Sequence, residues 1–176
     1  MSQFLRFFLF SFLVSSVLHA QVLANPKEIM QSYYPDTKVE KKNLMLSESQ
    51  VQQIQQEAKA QLDNKVMRIY RAYKGEEVIA FGVLLSKNIR SKNGVFLYLI
   101  DKETNKLRTV EMIAFNEPLE YLPSGEWKKQ FQEVETSKEL RVGENIHTIT
   151  GATLSARSIT QGSRIAFALY KTLLTK

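Results

Sequence analysis

The stretch Val66-Met67-Arg68-Ile69-Tyr70-Arg71-Ala72-Tyr73-Lys74-Gly75-Glu76-Glu77-Val78-Ile79-Ala80-Phe81-Gly82-Val83-Leu84-Leu85-Ser86 decides the fold. Its halves are rich in β-branched and aromatic residues and meet at Lys74-Gly75-Glu76, a short turn carrying the glycine that hairpins favour. They predict strands over Val66–Lys74 and Glu77–Ser86. Val78–Leu85 is apolar on both faces, as in a strand covered from both sides. Gly82 within it predicts a bulge or a close backbone approach. Two more strands follow, Val95–Asp101 and Leu107–Phe115, joined by the polar turn Lys102–Lys106. Consecutive strands with short connections favour an antiparallel meander.

Helical patterns flank these strands. Pro26–Tyr34 reads as a short helix stopped by Pro35 and Asp36. A second helix runs from Ser47 to about Leu62, with Ser47 as cap, Gln50 completing a capping box and Leu46 stapling against Val51. Val51, Ile54, Ala58 and Leu62 mark its buried face. Ser124-Gly125-Glu126 opens a short helix over Glu126–Val134, and Leu154–Leu173 is the last helix. Ser155, Ile159, Gly162, Ala166, Leu169 and Leu173 recur along one side of it. The small residues Gly162 and Ala166 let a backbone or a flat ring come close. The expected fold is α+β: one twisted antiparallel sheet of about four or more strands with helices packed on it. Its C-terminal helix directly follows a Thr-Gly-Ala-Thr loop. No repeat or linker divides the chain after residue 24, so 25–65 forms an N-terminal helical segment of the same domain as 66–176.

Residues 1–24 read as an address. Met1–Arg6 carries one cation, Phe7–Leu18 is largely apolar, and Ala20 and Ala24 are small residues after which to cut. Ser11, Ser15, Ser16, His19 and Gln21 leave the run short of the ~20 apolar residues that a bilayer span needs. The expectation is a cleaved signal peptide, with the preferred cut after Ala24 and Ala20 as the alternative. The product is then a bacterial periplasmic protein and not an integral membrane protein. Setting Arg6 and His19 aside leaves 23 basic and 18 acidic groups on 152 residues, with His147 as the one histidine.

That composition excludes whole classes of chemistry. Of 176 residues none is Cys, so there is no disulfide, thiolate metal site, CxxCH haem attachment, lipoprotein acylation or Cys nucleophile. One histidine cannot build a multi-histidine metal site.

The chemistry-bearing segment is His147-Thr148-Ile149-Thr150-Gly151-Ala152-Thr153-Leu154-Ser155. Gly151 can take a positive φ for a tight turn. The first N–H groups of the following helix lack partners within it, and the helix dipole is positive there. Such an end attracts a phosphate, and the hydroxyls of Thr150, Thr153 and Ser155 can join the cradle. The plainer alternative is that Thr153 or Ser155 caps the helix while Gly151 makes the turn.

Thr150-Gly151-Ala152-Thr153-Leu154-Ser155 resembles the [ST]-G-A-T-x-[ST] signature of the FMN-binding domain family, which includes flavinylated subunits of sodium-pumping NADH–quinone oxidoreductase. Glu117-Pro118-Leu119-Glu120-Tyr121, with Trp127 and Gln130-Phe131 after it, is similar to the family's Glu/Pro loop and aromatic helix. The resemblance spans roughly Val66 to Leu173, the size of one domain. It implies FMN held by Thr153, Thr150, Gly151, Ala152 and Ser155, with Glu117 and Tyr121 also at the cofactor. A dedicated FMN transferase would join the phosphate to the Thr153 hydroxyl, non-covalent FMN being the other possibility. It further implies an electron-transfer flavoprotein, a carrier more than a stand-alone enzyme, exchanging electrons with a membrane or periplasmic redox partner. The family places an acid three positions before the first hydroxyl; this chain has His147 there.

Rival readings rest on the same residues. A degenerate motif could serve a non-redox periplasmic module that binds an anionic ligand or a partner protein. Nothing around His147 supplies a nucleophile elbow. Glu117 and Glu120 are spaced like a hydrolytic carboxylate pair, though a polar loop shaped by Pro118 is the simpler account. Tyr121 and Trp127 suit either a flavin ring or a loop anchor. Lys128, Lys129, Lys138 and Arg141 form a basic stretch that could hold a phosphate or simply face water. No nucleic-acid-binding motif is present.

Overall fold

The structure, a computed structural model, describes residues 21–175. The proposed export segment lies outside the described residues up to residue 20. Seven strands form one antiparallel sheet: β1 (Gln21–Val22), β2 (Lys38–Met45), β3 (Val66–Lys74), β4 (Glu77–Asn88), β5 (Asn93–Asp101), β6 (Lys106–Phe115) and β7 (Val134–Glu135). Their order is β1-β6-β5-β4-β3-β2, with β7 also on β6. The α+β class and the β3–β6 meander are as expected.

Alternation sends Ile69, Phe81, Val83, Phe96, Tyr98 and Ile100 to one face and Tyr70, Ala72, Ala80, Leu97 and Leu99 to the other. Helices α2 (Glu48–Ala58) and α4 (Thr153–Leu169) cover the first face, and α1 (Pro26–Tyr33) covers the second. The doubly apolar Val78–Leu85 is explained by these two layers. At Gly82 the reason is close approach rather than a bulge: a Cβ there would stand 2.8 Å from Met30 Sδ of α1.

The Ser47 capping box forms, with Ser47 Oγ accepting from Gln50 N at 3.2 Å and Gln50 Oε1 accepting from Ser47 N at 2.9 Å. Helix α2 stops earlier than periodicity suggests, because Lys59 turns left-handed (φ 48°). Leu62 still packs on the core from the loop, its N–H held by Gln55 Oε1 at 3.0 Å. The short helix predicted over Glu126–Val134 is instead α3 (Gly125–Lys128) plus a 3₁₀ turn, Lys129–Phe131. Glu133 turns left-handed (φ 59°), its N–H reaches Leu107 O, and Val134 enters β7. Helix α4 passes into a π turn at Tyr170–Leu174.

The small-residue side of α4 lies on the sheet, and the flat ring that approaches it belongs to the protein. Tyr98 is fully buried and its hydroxyl donates to Ile159 O at 3.1 Å. A Cβ on Gly162 would fall 2.0 Å from that hydroxyl.

Candidate functional site

The loop Ile146–Ala152 is held by its backbone. Trp127 Nε1 donates to His147 O at 2.8 Å, and His147 N donates to Gln130 Oε1 at 2.7 Å. Gln130 Nε2 donates back to Trp127 O at 2.8 Å, and Trp127 packs on Phe131 with ring centroids 5.2 Å apart. Trp127 is therefore a loop anchor. The His147 side chain is exposed.

Gly151 completes the turn at φ +78°, with nothing within 4 Å of where its Cβ would be. The N-cap of α4 is Ala152, and no side chain caps the helix. This removes the simple capping account of Thr153 and Ser155. Thr153 is the first residue of a 17-residue helix whose opening N–H groups carry the positive end of the dipole.

Successive helical residues turn by about 100°, so Thr153 and Ser155 point in different directions. Ser155 is 1% exposed and its Oγ–H donates to Tyr121 O at 2.8 Å, pinning α4 to the Glu/Pro loop. Ser158 does the same for β4, donating to Asn88 O at 3.0 Å.

A cleft of about 200 Å³ opens at this point, lined by Gly151, Ala152, Thr153, Leu154, Ser155, Glu117 and Tyr121, with Ile89 and Arg90 from the loop after β4. It gathers six of the seven site residues expected from the sequence. Thr150 is exposed and outside the cleft wall. Ile89, Arg90 and Leu154 were not anticipated.

Glu117 is 6% exposed, and its Oε1 accepts from three consecutive backbone N–H groups: Arg90 at 3.1 Å, Ser91 at 2.6 Å and Lys92 at 2.8 Å. Burial pushes this carboxyl up, but the bonds from Lys92, Ser91 and Arg90 outweigh it and hold the group below its ordinary value. Glu117 is thus the clamp of the Arg90–Lys92 loop. Its carboxylate is committed to that loop, and Glu120 does not line the cleft, so no hydrolytic carboxylate pair is assembled there. The clamped loop puts the Arg90 guanidinium 5.9 Å from the centroid of the Tyr121 ring and 3.3 Å from its hydroxyl. The cleft therefore combines a helix N-terminus, the Thr153 hydroxyl and the Arg90 guanidinium, a set suited to a phosphate or similar anion.

Most of the basic stretch is used in ion pairs. Lys128 meets Glu111 at 2.7 Å, Lys129 meets Glu126 at 2.5 Å, and Arg141 meets Glu139 at 2.9 Å and Glu144 at 3.4 Å. Among the described residues no helix is long and apolar enough to cross a membrane. Protein-family models and curated proteins, compared with this sequence, yield no match.

Proposed function

We propose that the protein is an exported electron-transfer flavoprotein that carries FMN on Thr153 through a phosphoester. The observation that carries the reading is the position of Thr153, at the start of an uncapped helix and in one cleft with Arg90. The phosphate end of FMN fits these residues: the opening N–H groups of α4 and the Arg90 guanidinium would hold its charge, and Gly151 leaves open space for it. The cleft, at about 200 Å³, is smaller than the roughly 300 Å³ or more that encloses a whole drug-sized ligand. The ring would therefore rest at the rim, where Tyr121 and the 43% exposed Leu154 supply an aromatic and an apolar surface. When bound, the flavin supplies one- and two-electron chemistry, while this chain binds, orients and shields it. A tether also suits a periplasmic carrier, which cannot recapture a lost cofactor from dilute surroundings.

The test is expression for export with and without an FMN transferase, followed by denaturation. Flavin fluorescence should run with the protein band, the intact mass should rise by FMN less one water, and both should vanish in Thr153→Ala. Unmodified mass beside a competent transferase would overturn the covalent reading; colour lost on denaturation would make the flavin non-covalent. The small cleft volume favours one second reading, a non-redox module for a small anion. A colourless protein that binds inorganic phosphate through Arg90 would establish it. His147→Asp measures whether the residue at that motif position governs loading.

A further inference from the structure

After Glu144 the chain contains no Asp or Glu, while Arg157, Arg164 and Lys171 recur every seven residues. Seven residues are two turns, so the three cations lie along one stripe of α4 and the π turn, with a drift of about 20° per repeat. The rest of α4 is largely buried on the sheet, which makes this stripe its solvent-facing side. Arg141 comes from the preceding loop to stand beside it. Arg141, Arg157 and Arg164, with Val142, Thr160 and Gln161, line a hollow of about 270 Å³.

The cations of this stripe are used very differently by the fold. Lys171 pairs with Glu57 at 2.9 Å, and Arg141 is shared between Glu139 and Glu144. Arg164 donates to Leu140 O at 3.0 Å and to Lys59 O at 3.4 Å, while its Nε is buried without a partner. Burial, opposed by Glu139 and reinforced by Arg141, pushes the Arg164 pKa down. Arg157 is exposed and forms no ion pair or hydrogen bond among the described residues. It stands four residues after Thr153, so the two share a face of α4. The other lysine-rich surface, Lys38, Lys41 and Lys42 on β2, has a folding reason, since charged side chains keep an edge strand from pairing with other chains. Arg157, in the wall of the hollow, has no such reason among the described residues.

We infer that the Arg141–Arg157–Arg164 hollow is a docking surface for the acidic face of a redox partner protein, placed one helical turn from the cofactor residue. Clustered carboxylates would fit it, because the Arg157 guanidinium can grip one bidentately while Arg164 and Arg141, held by the fold, add positive charge beside it, and charge complementarity of this kind speeds and orients encounter. The inference rests on the flavin reading only for calling the partner a redox protein.

The probe is fluorescein-labelled hexaglutamate, titrated with the full exported protein and read by anisotropy, which needs no flavin. Binding is expected at low salt and should weaken towards ~0.15 M, where the Debye length is about 8 Å. Arg157→Gln should weaken it by roughly three- to tenfold, with unchanged circular dichroism. Glu144→Gln, which withdraws a competing carboxylate from Arg141, should tighten it. Lys41→Gln with Lys42→Gln should leave it within about twofold of wild type. The proposal is overturned if hexaglutamate does not bind at low salt, if Arg157→Gln binds like wild type, or if the β2 variant loses as much. Capture by anionic phospholipid vesicles with hexaglutamate inert would also overturn it, in favour of a membrane surface. Flavin-free protein that binds through Arg157 keeps the docking surface and removes only the redox character of the partner.

Discussion

Replacing Glu117 with Ala tests the architecture of the cleft. One carboxylate oxygen accepts three backbone N–H groups from Arg90, Ser91 and Lys92, at 2.6–3.1 Å. A hydrogen bond to a charged group is worth about 1.5–3 kcal/mol, but three bonds to one oxygen are not additive, and Arg90 and Ser91 are exposed enough for water to replace the lost acceptor. The expected loss is therefore about 2–3 kcal/mol. Because the folded carboxyl sits below its ordinary value, its stabilisation is present above the unfolded value near ~4.3 and is lost as pH falls through the depressed folded value. Urea unfolding at neutral pH should separate Glu117→Ala from wild type, and the gap should close progressively below about pH 4. Formate, a carboxylate small enough to enter the vacated site, should restore part of the loss in Glu117→Ala and none in wild type. Glu120→Ala, an exposed neighbour, is the control. Equal stability of the two variants, within ~0.5 kcal/mol, would refute the clamp.

Two glycines give a graded comparison. In Gly162→Ala the new Cβ meets the Tyr98 hydroxyl at 2.0 Å and its ring carbon at 2.6 Å, so overpacking and a lost buried hydrogen bond should cost about 3–4 kcal/mol. Gly82→Ala meets the flexible Met30 Sδ at 2.8 Å and should cost only about 1–2 kcal/mol; denaturant unfolding orders the two. Trp127→Phe keeps the ring on Phe131 but removes the bond to His147 O, so it should lose about 1 kcal/mol and speed amide exchange over residues 147–152. At the N-terminus, Gln21 and Val22 pair with Phe115 and Ala114, and Leu23 N reaches Ile113 O at 2.8 Å. Cleavage after Ala24 would strip that pairing, so if the chain is exported with a cleaved leader the cut should fall after Ala20 and the product begin at Gln21; an N-terminus at Asn25 on sequencing would refute this.

The strands were legible where burial alternates or saturates, and they were missed where it does neither. Strand β2 has Val39 as its one buried residue, because it is the outer edge and its other side chains meet water. Strands β1 and β7 are two residues each, too short for any period. Helix starts were readable from Ser47 and Ser124, whose side-chain caps are local chemistry. Two helix ends were misplaced: Lys59 caps α2 in a left-handed conformation without being glycine, and the short helix tightens into a 3₁₀ turn that stops at Phe131, two residues before Glu133 turns left-handed. Of the motif residues that the sequence marks, Gly151, Ala152, Thr153 and Ser155 line the cleft and Thr150 does not. Arg90 is not marked, because it is brought to the cleft by Glu117, 27 residues away in sequence, through bonds to backbone that no side-chain pattern encodes.

Ser155 shows how the helix resolves a double expectation. It belonged both to the apolar stripe of α4 and to the hydroxyl cradle, and one side chain cannot serve both. Its Oγ is committed to Tyr121 O, so the stripe wins, and the bond sets the distance between α4 and the Glu/Pro loop. Thr153, two residues earlier, is rotated by about 200° and faces the other way. The same rotation carries Thr153 and Arg157 to a common face and Ser155, Ser158 and Ile159 towards the protein. Helical phase thus separates the two hydroxyls of the first turn: Ser155 is committed to the protein, and Thr153 keeps its place on the cleft without such a bond. It also means that Ser155 cannot stand in for Thr153 without breaking the contact that closes the cleft wall.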